Sequence, residues 1–215
     1  NMTMTFIGAA MLWVGWFGFN GGSALSAGGD AAMAILATHI SAAAGAMTWM
    51  FYEWIKFGKP TALGSVTGMV AGLGTITPAS GFVGPAGALV IGIIAGAVCF
   101  NAVIIIKQKF KIDDSLDVFP VHGVGGICGT ILVGFFASKE LGIFSGQGGW
   151  SHEAIVISDQ LQIQLTAVVA TAAYTALATF VILKIVDVVT GLRVDSQTET
   201  QGLDLDSHGE TGYNL

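Results

Sequence analysis

What this chain most lacks is charge. Only 10% of its 215 residues are Asp, Glu, Lys or Arg, where an ordinary soluble domain carries about 25%. With 53% hydrophobic residues and a mean hydropathy of +0.74, too little polarity is left to coat a water-facing surface, and the chain reads as an integral membrane protein. Cysteine is scarcer still. Cys99 and Cys128 both fall inside apolar segments, and neither count nor spacing suggests a disulfide or a metal site, so they read as small packing residues. A nucleotide-binding glycine loop, an internal repeat and a soluble domain are all missing. No cofactor, no nucleic-acid partner and no enzymatic activity are expected. Nor is a cleavable signal peptide evident: Asn1-Met-Thr-Met-Thr5 carries no positive charge, and its apolar run continues well past a signal core. The chain starts at the edge of a span, and the expectation is that a further segment precedes it.

The net charge of −6 has a local origin. Acid is densest in the last stretch, Asp195 to Glu210, so the excess describes a tail and not a surface. The 31 glycines fit a membrane protein, because small residues let helices approach closely where lipid supplies no hydrophobic force between them.

A membrane span needs about 20 mostly apolar residues, and six stretches qualify, near 4–25, 31–55, 61–79, 84–108, 115–137 and 161–189. The third and fourth are split by Thr77-Pro-Ala-Ser-Gly-Phe-Val-Gly-Pro-Ala86, whose prolines and glycines mark a tight turn. The fold class is therefore an all-α membrane protein of six transmembrane helices, with a membrane region over 1–193 and a polar tail over 194–215. Cytoplasmic loops retain Lys and Arg. Lys56, Lys59, Lys107, Lys109, Lys111, Lys184 and Arg193 share one side and only Lys139 lies opposite, which puts both ends of the chain in the cytoplasm. The long outer loop from Ser138 to about Asp159 holds Trp150, an interfacial aromatic, and His152, a solvated loop histidine. The tail is too poor in apolar residues to form a core alone; it either stays mobile or docks on the cytoplasmic face. Gly-x-x-x-Gly spacings at Gly18/Gly22, Gly68/Gly72, Gly92/Gly96 and Gly125/Gly129 are sufficiently explained by packing.

The stretch Asp117-Val-Phe-Pro-Val-His122-Gly-Val-Gly-Gly126 places one ionisable ring inside an apolar run. His122 lies about eight residues into its span, on the order of 12 Å deep, where polar groups usually face a cavity or the bundle interior. A satisfied structural histidine is the alternative. Asp114 and Asp117 open the same helix, where carboxylates cap free amides and favour the positive end of the dipole; attraction of cations is the sharper reading. In the first span, Trp16, Phe19 and Ser23 recur at i, i+3 and i+7 and share one face. Such a stripe is either core or a face that holds a small cation by ring quadrupoles and one hydrogen bond. His39, in an alanine-rich stretch, reads as a packing or interhelical hydrogen-bond residue. Glu53 snorkels at the cytoplasmic end of its span or pairs with Lys56.

Taken together, Trp16-Phe-Gly-Phe-Asn-Gly-Gly-Ser23, Gly58-Lys-Pro60, Thr77-Pro-Ala-Ser-Gly81, Asp113-Asp114 with Asp117 to Gly126, Gly191-Leu-Arg-Val194 and the tail Gly202 to Glu210 resemble the Amt/MEP/Rh ammonium transporters, closest to the bacterial Amt branch. The motifs run from end to end in the order of that family. The resemblance implies eleven spans, the first ten in two inverted halves around a pore, assembled as homotrimers in the cell membrane, with this chain similar to the second half plus the eleventh helix and tail. It implies that His122 is one of a pair of pore histidines, Phe19 one ring of a stacked gate, Trp16 and Val118 pore-lining residues, and Ser23, beside Trp16, the hydroxyl of the outer ammonium site. Asp114 would be an acid needed for a transport-competent structure. The tail would meet a PII-type regulator. The other histidine, the other gate ring and the matching acid belong to the other half, so an isolated copy is expected to lack a complete pathway.

The physics of such a pathway is desolvation. A bare cation in a narrow apolar pore forfeits its hydration energy, whereas ammonia forfeits only hydrogen bonds. Ammonium would be collected outside, give up its proton and cross as ammonia past imidazoles that relay the proton or supply hydrogen bonds. The competing readings are a neutral-gas or water channel, an ammonium sensor that signals to a cytosolic partner, and a non-conducting structural piece.

Overall fold

A computed structural model describes residues 1–144 and 155–212; Trp150 and His152 lie outside the described residues. Every regular element among these is helical. α1 spans Met2–Gly22, its first turn capped by the Asn1 side chain, which accepts the Met4 amide at 3.1 Å. α2 spans Gly29–Phe57 and stops at Gly58, whose φ of 79° favours a residue without a Cβ. α3 spans Ala62–Ile76 behind Thr61, whose hydroxyl accepts the Gly64 amide at 2.9 Å. α4 spans Pro85–Val103, with proline at the position where a missing amide hydrogen costs nothing. It runs on through a π-helical turn, Ile104–Lys109. A second π-helical turn, Phe119–Gly123, leads into α5 at Val124–Phe136. A 3₁₀ segment, Lys139–Phe144, follows. α6 spans Ile157–Val189, and two short helices, α7 at Ser196–Gln201 and α8 at Leu203–His208, come last among the described residues.

Among the described residues, five helices are long and apolar enough to cross a membrane: Met2–Gly22, Gly29–Phe57, Pro85–Lys109, Phe119–Phe136 and Ile157–Val189. The expected span over 61–79 is the exception. Its helix has 15 residues, or about 22 Å at 1.5 Å per residue, short of a hydrocarbon core of roughly 30 Å. The remainder of that stretch, from Thr77 through Pro78, turns instead of continuing the helix; Thr77 keeps helical dihedrals, but Pro78 has no amide hydrogen to extend the ladder.

Two compact units are present, residues 1–168 and 169–215. The first is built on α2, which packs against α3 and α4 at very short range. A methyl group on Gly72 would collide with the Ser41 carbonyl oxygen, and one on Gly129 of α5 would collide with that of Thr75 in α3. Three of the four Gly-x-x-x-Gly pairs sit at such contacts. Gly18 and Gly22 are the fourth pair, and a methyl on either would meet nothing within 4 Å. Two hydrogen bonds from buried side chains tie helices together: the Ser41 hydroxyl donates to the Gly72 carbonyl at 2.9 Å and Asn20 Nδ2 donates to Thr38 Oγ1 at 2.9 Å. One apolar cluster gathers Trp49, Ala71, Cys99, Phe100 and Val121. Another gathers Ala9, Ala42, Met69 and Leu73, with Trp13 and Trp16 against it. These two clusters anchor the residues on either side of the candidate site.

The second unit is held by local polar contacts. Arg193 Nη2 donates to Glu199 Oε2 at 3.0 Å, and the Asp195 carboxylate accepts the Gln197 and Thr198 amides at 2.9 and 3.0 Å to cap α7. Neither α7 nor α8 contains a buried residue.

One local reading changes. Glu53 neither snorkels nor pairs with Lys56; it is 8% exposed and accepts both the amide and the hydroxyl of Thr61, at 2.6 and 3.0 Å, across the Gly58–Pro60 turn. His39, an exposed ring, packs as expected between helices, against Trp13 and Phe17 of α1 at tilted angles with centroid separations of 5.2 and 5.8 Å.

Candidate functional site

The segment that carries His122 is shaped before the helix begins. Asp117 has a φ of 54°, a left-handed conformation that Asp tolerates better than most residues. Lys107 Nζ lies 2.9 Å from its carboxylate. Asp114, one turn earlier, accepts the amides of Val118 and Phe119 at 2.9 and 2.8 Å. These amide hydrogens, that of Phe119 first, hold the Asp114 carboxyl below its ordinary range, with smaller help from Lys107 and His122. Hydrogen bonding to the charged form is what favours it. Pro120 then removes a donor from the helix ladder, and the chain widens into the π-helical turn Phe119–Gly123, closed by the Val124 amide on the Phe119 carbonyl. Single π turns of this kind are frequent at functional sites.

This turn divides its side chains between two sides. Pro120 and Val121 are buried, whereas Val118, Phe119 and His122 are exposed. Gly123 is needed close by, since a methyl there would sit 2.8 Å from the Phe119 ring. His122 is thus an imidazole on the open side of an otherwise apolar helix, with Val118, 52% exposed, one turn before it.

The second group of residues lies on α1. Trp16 is half-buried, Phe19 is 63% exposed, and the two rings meet edge to face at 6.5 Å and 88°. Both line an apolar groove of ≈ 660 Å³ together with Gly8, Met11, Leu12 and Gly15. Ser23 ends the helix, and its hydroxyl donates to the Phe19 carbonyl at 2.8 Å. With its only hydrogen so used, the Ser23 oxygen presents lone pairs, which accept from a cationic N–H donor. Ser23 also lines a pocket of ≈ 210 Å³ whose polar members include Asn20, Asp30, Thr77 and Ser80.

Sequence spacing placed Trp16, Phe19 and Ser23 on one face, and the first two are in ring contact. Val118 and His122 share the open side of the α5 segment, with Asp114 below them as a cap. No hydrogen bond or ring contact joins the α1 group to the His122 group among the described residues. One partner is not visible in the sequence. Trp16 Nε1 donates to Thr77 Oγ1 at 2.7 Å, across 61 positions of sequence. The Thr77-Pro-Ala-Ser-Gly81 motif was the available signal, but nothing in it pointed to the first span. No group of three or more metal-ligating side chains is present among the described residues.

Comparison with known proteins converges on one family. The sequence model of the Ammonium Transporter Family matches residues 1–213. Ammonium transporter Amt1 of Archaeoglobus fulgidus is 47% identical over 213 residues, covering 99% of this chain and 52% of that protein. The crystal structure of Saccharomyces cerevisiae Mep2 superposes with a TM-score of 0.80 at 37% identity, over 92% of this chain and 44% of that one. A structure named Sensor Amt Protein superposes with a TM-score of 0.85 at 31% identity, over 97% and 49%. The chain spans about half the length of the curated relatives it matches.

Proposed function

This chain belongs to the ammonium transporter family, a family of multi-pass membrane transporters and not of enzymes, and on that premise we propose how its residues serve ammonium transport in the full-length protein. Ammonium is collected where the Ser23 oxygen accepts one of its N–H groups and the faces of Phe19 and Trp16 stabilise its charge through their ring quadrupoles. The cation then gives up a proton to water at the outer mouth or to the pore imidazoles, because a narrow apolar passage costs the ion its full hydration energy and the neutral molecule only its hydrogen bonds. Ammonia reaches His122, whose imidazole supplies a hydrogen-bond partner or relays the proton, and then passes Val118 toward the cytoplasmic side.

The observation that carries this reading is the position of His122, an exposed imidazole on a π-helical turn between the buried Pro120–Val121 edge and the open Val118 side. A side chain kept only for packing would be expected on the buried edge. In this reading residues 1–193 form the membrane region of the cell membrane, with the basic residues other than Lys139 and the chain's C-terminus in the cytoplasm. The full-length protein assembles as a homotrimer, and the tail 194–215 meets a PII-type regulator. Asp114 serves structurally, by fixing the start of the His122 segment.

The test is ammonium-driven uptake or current in vesicles containing the full-length protein. Flux above that of empty vesicles is expected. Vesicles that pass water or neutral gas but show no response to ammonium would replace this reading with a neutral-solute channel. A second reading, ammonium sensing through the tail, has the likeness to the Sensor Amt Protein in its favour. It is distinguished by ligand-dependent binding of a cytosolic partner without flux.

A further inference from the structure

The indole of Trp16 has two different chemical faces: a π surface that attracts cations and one N–H that attracts lone pairs. In this fold the N–H is spoken for. It donates to Thr77 Oγ1 at 2.7 Å, and the same hydroxyl donates its hydrogen to the Leu73 carbonyl at 2.8 Å. The anchor is rigid, since Leu73 is fully buried and Thr77 sits at the C-terminal end of α3. The ring itself remains on the wall of the apolar groove, edge to face with Phe19.

We infer that Thr77 is a positioning residue for Trp16: by taking the indole N–H into the α3 side, it leaves the groove with the ring's π surface and without its donor. The inference rests on the transport reading for its consequence. A free N–H on an apolar wall would hold water, and would bind the lone pair of ammonia, the neutral species that has to move on. It would also let the indole rotate out of its contact with Phe19. Loss of the Thr77 hydroxyl should therefore slow release and weaken discrimination among ammonium and its methylated analogues, without unfolding the protein.

The experiment uses the full-length transporter with three substitutions, Thr77→Val, Thr77→Ser and Trp16→Phe. The first readout is the ¹⁵N–¹H resonance of the Trp16 indole, identified by its disappearance in Trp16→Phe. It should shift in Thr77→Val and return in Thr77→Ser; an unmoved resonance in Thr77→Val overturns the inference. The second readout is flux of ammonium against methylammonium in vesicles. Thr77→Val should lower ammonium flux roughly five- to tenfold, the weight of a lost hydrogen bond, and change the ratio of the two substrates. In a Trp16→Phe background, where there is no N–H to hold, the same substitution should change flux by less than about twofold, since the coupling runs through the pair. An equal loss in both backgrounds would show that Thr77 acts independently of Trp16 and contradict the assignment. Absence of ammonium flux from the unsubstituted protein would overturn the transport reading instead, and the indole resonance would still decide the role of Thr77.

Discussion

The carboxylate of Asp114 holds the backbone amide of Phe119 at 2.8 Å, three residues before His122. Together with its bond to the Val118 amide at 2.9 Å, this fixes the first turn of a segment whose next turn is π-helical. An acid far from His122 along the axis therefore acts on it through the backbone.

Asp114→Ala should release this cap. Amide exchange at Val118 and Phe119 in the full-length protein should quicken, while Asp114→Asn, which keeps one acceptor oxygen, should fall between. The pH dependence has a definite sign. The Asp114 carboxyl lies below its ordinary value of 3.8 in the folded protein, so the cap stabilises fully above that value and is lost as pH falls through the lowered folded one. Protection of these two amides, corrected for intrinsic exchange, should be equal at about pH 6 and about pH 5. Loss between those values would contradict the cap.

Gly129→Ala should destabilise the protein by about 1–3 kcal/mol, the usual cost of overpacking. The added methyl runs into the Thr75 carbonyl oxygen, and backbone yields less readily than a flexible side chain. Thermal unfolding of the purified full-length protein checks this; an unchanged midpoint would mean that α3 and α5 do not approach as described.

Thr38→Val leaves the Asn20 side-chain amide without its acceptor in a place where Thr38 is fully buried and Asn20 is 5% exposed. An unsatisfied buried donor costs roughly 1–3 kcal/mol. Thr38→Ser, which keeps the hydroxyl, should lose much less. Equal midpoints for the two variants would show that the hydrogen bond contributes nothing.

Much of this architecture was legible in the sequence. Long apolar runs with few charges give helices that span, and five of the six stretches form helices long enough to do so. The third did not, and Pro78 was the visible reason: it cuts an apolar run that hydropathy alone carries to residue 79. Glycine pairs at 68/72, 92/96 and 125/129 marked helix contacts because close approach is the main use a spanning helix has for repeated small residues. The one at 18/22 carried the same spacing without such a contact, since spacing cannot say which face meets a neighbour.

The site was legible in its residues and not in its geometry. His122 stood out because an ionisable ring in an apolar run is costly, and Trp16 and Phe19 because of their shared face. The π-helical turn was hidden, since it arises from Asp117, Pro120 and Gly123 acting together. The bond from Trp16 to Thr77 and the turn of Glu53 toward Thr61 were hidden for a different reason. Both depend on which helices lie side by side, and local pattern does not encode that.

The central claim is that the exposed imidazole on this turn serves the passage of ammonium. It is tested most directly by ammonium flux into vesicles containing the full-length protein with His122→Ala, alongside the unsubstituted protein. The variant should assemble normally and unfold at an unchanged temperature, with flux lowered by about tenfold or more, equivalent to roughly 1.4 kcal/mol for each factor of ten. Flux equal to that of the unsubstituted protein would contradict the role given to His122.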